Sequence, residues 1–226
     1  MKDTFKIICK RNIYIYIYSI LTKLKNIFIR FKHRNDIKII SKSTLISIKK
    51  DCIGNNNLMI IEHECIIKPL TIHVRGNNNR INIGAHCYIG DECSLWIEGN
   101  NCVIAIGEST TMTCKCHINV QEDNQSIIIN RDCMFSNNII VRTSDSHPIY
   151  DNITHQRINN AKSIEIGEHV WIAPNSKIMK GAIIGNGAII GSDTTISHKI
   201  PNNVLAVGRP AKIVKTDLSW TREKLF

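Results

Sequence analysis

Isoleucine recurs every six residues toward the end of this chain, at Ile166, Ile172, Ile178, Ile184, Ile190 and Ile196. The residue after each is mostly small: Gly167, Ala173, Met179, Gly185, Gly191 and Ser197. Four after each come Val170, Ser176, Ala182, Ala188, Thr194 and Ile200, mostly small or β-branched. A period of six belongs neither to a helix nor to a plain strand. It suits a parallel β-helix with flat faces, in which each hexad makes one short strand and one turn and three hexads make a triangular coil. The aliphatic side chain points inward, and the small residue lets the backbone turn tightly.

The middle of the chain repeats with a longer unit. Gly54-Asn-Asn-Asn57 is followed by Gly76-Asn-Asn-Asn79, Gly99-Asn-Asn101 and Glu122-Asp-Asn124, at steps of 22 or 23 residues. Ile61, Ile83, Ile106 and Ile129 share one register within these units. Each unit reads as a coil carrying an Asn-rich corner loop, because Asn and Gly tolerate left-handed backbone. Coils are expected near 54–75, 76–98, 99–121 and 122–144, with about two more from 161 to 199. From Ser146 to Asn160 the period breaks, and a long loop in a regular solenoid is more often functional than accidental.

The register also assigns cysteines. Cys65, Cys87 and Cys133 lie four after Ile61, Ile83 and Ile129, and Cys93 and Cys116 four after Ile89 and Met112. That is the inward slot, where Cys acts as a small hydrophobe. Cys114-x-Cys116 has the wrong spacing for a zinc knuckle, and no metal is expected. Nine cysteines without an export signal point to reduced thiols in the cytoplasm.

Charge divides the chain. The formal net charge is +10, yet residues 1–50 hold 13 Lys/Arg against 2 acids, and the remainder is nearly neutral. A nucleic-acid-binding body would carry its own basic patch, so nucleic acid is not an expected partner. The apolar run Ile13–Leu21 is too short to cross a bilayer as a helix, and no small-residue cleavage site follows it. The expected organisation is a basic, helical N-terminal segment over 1–50, a solenoid over 51–215 and a tail over 216–226. The N-terminal segment has two readings. It lies on anionic lipid at the inner membrane face, or it caps the open end of the solenoid.

Two stretches carry a recognisable pattern. One is Thr143-Ser-Asp-Ser-His-Pro-Ile-Tyr-Asp151. The other runs from His169-Val-Trp-Ile-Ala-Pro174 through the Ile hexads to Ile200-Pro-Asn-Asn-Val-Leu-Ala-Val-Gly-Arg-Pro-Ala-Lys212. The chain resembles the hexapeptide-repeat acyltransferases over roughly 54–215. The Asn-rich coils and the ending Leu218-Ser-Trp-Thr-Arg222 look most like the branch that O-acetylates capsule and lipopolysaccharide sugars, sialic acid included. The resemblance implies an all-β, left-handed parallel β-helix, acetyl-CoA as co-substrate, a sugar or polysaccharide acceptor, and a homotrimer with each active site between subunits. Two positions depart from the pattern: Ala173-Pro174 stands where Gly and a small polar residue are usual, and Ser192-Asp193 replaces Ala-Gly.

His147 is the leading catalytic candidate. Acyl transfer to a hydroxyl needs a base with a pKa near the working pH. Pro148 restricts the backbone of His147, and Asp145, two residues before it, is a candidate to orient the imidazole. The resemblance places Trp171 on the acyl site, where an indole N–H would favour a developing oxyanion. It also carries CoA contacts onto Ser192, Ser197, Lys212 and Lys215 and places His198 beside such a position, while Lys199 and Arg209 join the two lysines as basic side chains suited to the CoA phosphates. The rival readings are a small-molecule acceptor, such as a free sugar or an antibiotic, and a non-catalytic β-helix assembly protein. The fold alone does not choose among acceptors. A γ-type carbonic anhydrase on the same fold needs two histidines five apart, and this chain has none.

Overall fold

The computed structural model describes residues 37–225, which contain strands and no helix. Parallel strands stack in three ranks that form the faces of a prism. The first face holds Ile37–Ser41, Asn57–Ile61, Arg80–Ile83, Val103–Ile106, Ser126–Ile129, Ile164–Ile166, Ile183–Ile184 and Lys199–Ile200. The second begins with the leading halves of the long strands Leu45–Ile53 and Ile66–Arg75. It continues through Tyr88–Asp91, Thr111–Cys114, Met134–Asn137, Trp171–Ile172, Ile189–Ile190 and Leu205–Val207. The third takes the trailing halves of the two long strands, then Ser94–Glu98, His117–Gln121, Ile140–Arg142, Lys177–Ile178 and Thr195–Ile196. This is the left-handed parallel β-helix that the resemblance implied.

The register expected from the sequence is the register observed. On the first face Ile61, Ile83, Ile106, Ile129, Ile166, Ile184 and Ile200 pair in one unbroken column. Each is at most 1% exposed. Burying an isoleucine is worth roughly 1.5–3 kcal/mol, so the column gives the stack a continuous core. Cys65, Cys87, Cys93, Cys116 and Cys133 are all buried in the inward slot. The thiols of Cys65, Cys87, Cys116 and Cys133 reach backbone carbonyls, as Cys87 Sγ does to Gly107 O at 3.2 Å. Glycine follows the inward isoleucine because successive coils meet there: a Cβ on Gly84 would stand 2.5 Å from the Glu108 backbone nitrogen.

The Asn-rich corners join the third face to the first, and they do more than tolerate left-handed backbone. Asn56, Asn78, Asn101 and Asn124 do adopt φ of 55–60°. Their neighbours form ladders between coils. Asn77 Oδ1 accepts the Asn55 N–H at 2.8 Å, Asn100 Oδ1 that of Asn77 at 2.9 Å, and Asp123 Oδ1 that of Asn100 at 2.8 Å. Deeper in, Asn79 is 1% exposed. It donates to Gly99 O at 2.9 Å and accepts from Cys102 N at 2.8 Å.

The solenoid starts earlier than the boundary at residue 51. Ile37–Ser41 and Leu45–Ile53 are coil strands in register with the next turn, because Ile37, Ile48 and Cys52 face the core. The helix expected within 1–50 therefore falls on 1–36, outside the described residues. Among the described residues no helix is long and apolar enough to cross a membrane. At the other end Lys212–Lys215 turns back antiparallel to Leu205–Val207, and the tail is folded onto the solenoid. Leu218 N donates to Asn203 O at 2.9 Å.

Asn79→Ala should destabilise the chain by about 2–4 kcal/mol, since it orphans a buried N–H and a buried carbonyl. The denaturant midpoint should fall accordingly; an unchanged midpoint would remove the ladder as a source of stability.

Candidate active site

The period-breaking segment leaves the third face after Arg142 and rejoins the first face at Ile164. It therefore extends the same corner that carries the Asn ladders. It folds as a hairpin: Tyr150 and Arg157 form an antiparallel bridge, and Ile158 N donates to Ile149 O at 2.9 Å. Asp151 Oδ1 closes the tip by accepting the N–H groups of Ile153 at 2.9 Å and Thr154 at 2.7 Å. Those bonds hold the Asp151 carboxyl below its ordinary pKa.

His147 stands exposed at the base of this hairpin. Its carbonyl accepts from Asn159 Nδ2 at 2.9 Å. Among the described residues no hydrogen bond ties its imidazole, which faces outward from the corner. Asp145 does not orient that ring as its proximity in sequence suggested. Its carboxylate is taken by Lys180 Nζ and by Asn159 Nδ2, the latter at 2.9 Å. The hydrogen bond from Lys180 is the main reason its pKa is lowered. Lys180 lies on the next coil and also donates to Asn159 O at 3.0 Å. Asn159, only 7% exposed, thus joins the two ends of the loop.

A second anchor holds the hairpin to the coil beneath it. Arg157 donates to both oxygens of Glu122, at 2.8 and 2.6 Å, and Ser144 Oγ donates to the same carboxylate at 2.7 Å. The Arg157 bond comes first among the causes that lower the Glu122 pKa. The sequence carried a signal here that went unused: the three preceding corners open with Gly54, Gly76 and Gly99, and the fourth opens with Glu122.

Trp171 lies elsewhere. It begins a strand of the second face, between Met134 and Ile189, and the width of the first face separates that edge from the His147 corner. Its indole nitrogen is buried and has no hydrogen-bond partner. An orphaned buried donor costs about 1–3 kcal/mol, so it marks a place where an acceptor oxygen would be welcome.

The other named residues fall into two groups. Ser197 and His198 share the His147 corner further along the stack, with Lys199 beside them on the first face, and all three are exposed. Exposed Ser192 lies at the corner between second and third faces. There Arg209 is held by Asp193, Nη2 to Oδ1 at 2.6 Å. Lys212 and Lys215 are exposed on the returning strand along the second face. The protomer brings His147, Ser197 and His198 to one edge, and Trp171, Lys212 and Lys215 to another face.

Among the described residues the prism carries one long inserted loop at a corner and a lysine-bearing strand at its closing end. Residues 163–198 match the bacterial transferase hexapeptide model of six repeats. The chain is 36% identical over 197 residues to the polysialic acid O-acetyltransferase of Neisseria meningitidis, covering 84% of this chain and 86% of that protein. The match to the polysialic acid O-acetyltransferase of Escherichia coli O1:K1 is 37% over 103 residues, 46% of this chain but about a third (34%) of that protein's length. The crystal structure of the polySia-specific acetyltransferase NeuO superposes with a TM-score of 0.73 at 32% identity, over 83% of this chain and 79% of that one. The chain belongs to the hexapeptide-repeat family of acyltransferases.

Arg157→Ala should release the hairpin and leave the prism intact. With both charged hydrogen bonds to Glu122 gone, chymotryptic nicking at Tyr150 should rise about tenfold or more while the melting temperature hardly moves. Acid should act the same way, with pepsin in place of chymotrypsin as the protease that reads it. A carboxylate with a depressed folded pKa stabilises above its ordinary value of about 4.3. That contribution is lost as the pH falls through its lowered folded value. Nicking that is insensitive to both Arg157→Ala and acid would mean that Glu122 does not hold the loop.

Proposed function

We propose that this chain transfers an acetyl group from acetyl-CoA to a hydroxyl of a bacterial surface polysaccharide, with a sialic-acid polymer as the first acceptor to test. The observation that carries the reading is the relation to the meningococcal polysialic acid O-acetyltransferase, which extends over most of both chains. The site's chemistry supports it. His147 is an exposed imidazole, held at its backbone and free at its ring, on an anchored loop. A hydroxyl of an extended glycan reaches such a group without entering a closed pocket.

In this reading acceptor and thioester meet directly. His147 takes the hydroxyl proton as the sugar oxygen attacks the acetyl carbon, then gives it to the departing CoA sulfur. Trp171, with its unpartnered indole N–H, donates to the oxyanion of the tetrahedral intermediate. Asp145 and Lys180 act through Asn159 to hold the loop, not on the imidazole. A thiol nucleophile does not fit: Cys133, the cysteine nearest the loop in the chain, is fully buried, and burial pushes its pKa up to about 12. Lys212 and Lys215 supply positive charge for the CoA phosphates from the exposed strand.

His147 and Trp171 lie on different edges of one prism, so a site that uses both takes them from neighbouring subunits of a homotrimer. Ile149, Tyr150, Ile153 and Ile158 on the hairpin are more than half exposed in the protomer. They offer apolar surface for that contact. Peripheral attachment to the inner membrane face through the basic N-terminal segment belongs to the same reading.

His147→Ala should lower turnover by about 10²–10⁴ with donor affinity nearly kept, whereas Lys212→Ala should raise the KM for acetyl-CoA with a smaller effect on saturated rate. Trimers assembled from mixed His147→Ala and Trp171→Ala chains should regain part of the activity that neither variant shows alone. Near-native turnover in His147→Ala, or an acetylated enzyme accumulating without acceptor, would sink the mechanism. Transfer to free sugars or antibiotics in place of oligosialic acid and other capsule oligosaccharides would overturn the acceptor.

A further inference from the structure

The ending Leu218-Ser-Trp-Thr-Arg222 is absorbed by none of these roles, yet it is bound closely to the edge that carries Trp171. Trp220 is 8% exposed. Its ring lies over the His169 imidazole, centroids 4.1 Å apart and planes within 8°. The Trp220 indole N–H donates to His169 O at 2.9 Å, and the Trp220 carbonyl faces His169 Nε2 at 3.0 Å. His169 Nδ1 lies 2.6 Å from Asp132 Oδ2, and the other Asp132 oxygen accepts from Arg222 Nε at 2.8 Å. Arg222 also donates to Thr111 Oγ1 and to the carbonyls of Ser109 and Cys133, all at 3.0–3.1 Å. From Asn203 to Ser109 the tail thus crosses several coils along one edge. Trp220 ends 6.0 Å from the Trp171 ring, tilted by 47°, within the range in which aromatic rings fix one another.

His169 joins the tail to the coil beneath it through both ring nitrogens. One faces a carboxylate and the other a carbonyl oxygen, and both are acceptors. Asp132 is itself ionised. Burial pushes its pKa up, but the hydrogen bonds from Arg222 and His169 outweigh that and leave it lowered. The other charges near His169 are Glu168 beside it and Arg131, paired to Glu168 at 3.0 Å.

We propose that Leu218–Arg222 is a latch that positions Trp171 by stacking Trp220 on His169 and against the Trp171 ring. Trp220 and Arg222 are positioning residues, acting through the His169–Asp132 pair. When the tail is released, the stack on His169 is lost and Trp171 loses its aromatic neighbour. Consequences for catalysis rest on the reading above that Trp171 lines the acyl site.

The full chain, labelled with 5-fluorotryptophan, should give three ¹⁹F resonances, from Trp96, Trp171 and Trp220, assigned by single Trp→Phe variants. Arg222→Ala should move the Trp220 and Trp171 signals together and leave Trp96, on the third face, in place. His169→Gln, which removes the ring that Trp220 stacks on, should move the same two signals. Unchanged circular dichroism would show that the prism persists. A chain ending at Asp217 provides a second way to remove the latch. The latch is refuted if the Trp171 signal stays put while the tail is released. Arg222→Ala should also lower kcat/KM about tenfold, with Arg222→Lys recovering part of it. If the Trp171 signal moves but kcat/KM does not, the latch stands and the acyl-site reading of Trp171 falls.

Discussion

Each coil of this protein is a template for the next. Parallel strands hydrogen-bond at a spacing of about 4.8 Å, so every turn must repeat the outline of the one below it or leave backbone groups unpaired. The isoleucine column on the first face and the Asn ladders at one corner enforce that repetition from inside and outside. A slip of one residue would turn the inward set outward. The stack therefore tolerates irregularity only where the chain turns, and the long inserted loop stands at such a corner.

The corner that accepts the insertion is one where extra residues already occur in every middle coil. The ladder ends at Asp123 and Asn124, and the hairpin begins one coil later. Glu122 connects the two. It occupies a glycine position of earlier corners, at φ 70°, and in exchange offers a carboxylate to Arg157 and Ser144. Lys180 and Asn159 secure the other side. The hairpin is thus fastened to the coils before and after it by charged and amide bonds, with His147 at its base.

Residues with chemistry are spread over the prism. The histidine corner and the tryptophan face are separated by the first face, and the basic strand closes the far end. This follows from the geometry of a narrow solenoid, which has no interior pocket to gather side chains. Its core is filled with isoleucine and cysteine, so function lives on edges. The tail is folded onto one of these edges and packs Trp220 beside Trp171, so that a surface strand acquires a second aromatic layer.

The sequence by itself determined the repeat, the three-sided coil, the inward cysteines and the place where the period breaks. These are local and periodic, and each coil reports the same rule again. His147 was legible because it sits at the break and in a recognisable motif. Contacts across coils were not legible. Asp145 seemed placed for His147 two residues away, but a lysine thirty-five residues on took its carboxylate, because stacking brings together residues one coil apart and the inserted hairpin changes that interval. The first coil was also missed, since residues 37–53 carry no hexad mark and only stacking on the next turn reveals their inward faces. Trp220 read as a family signature until folding carried it back over fifty residues to His169. Periodicity fixes what each coil is; only the stacked structure decides which side chains of different coils meet.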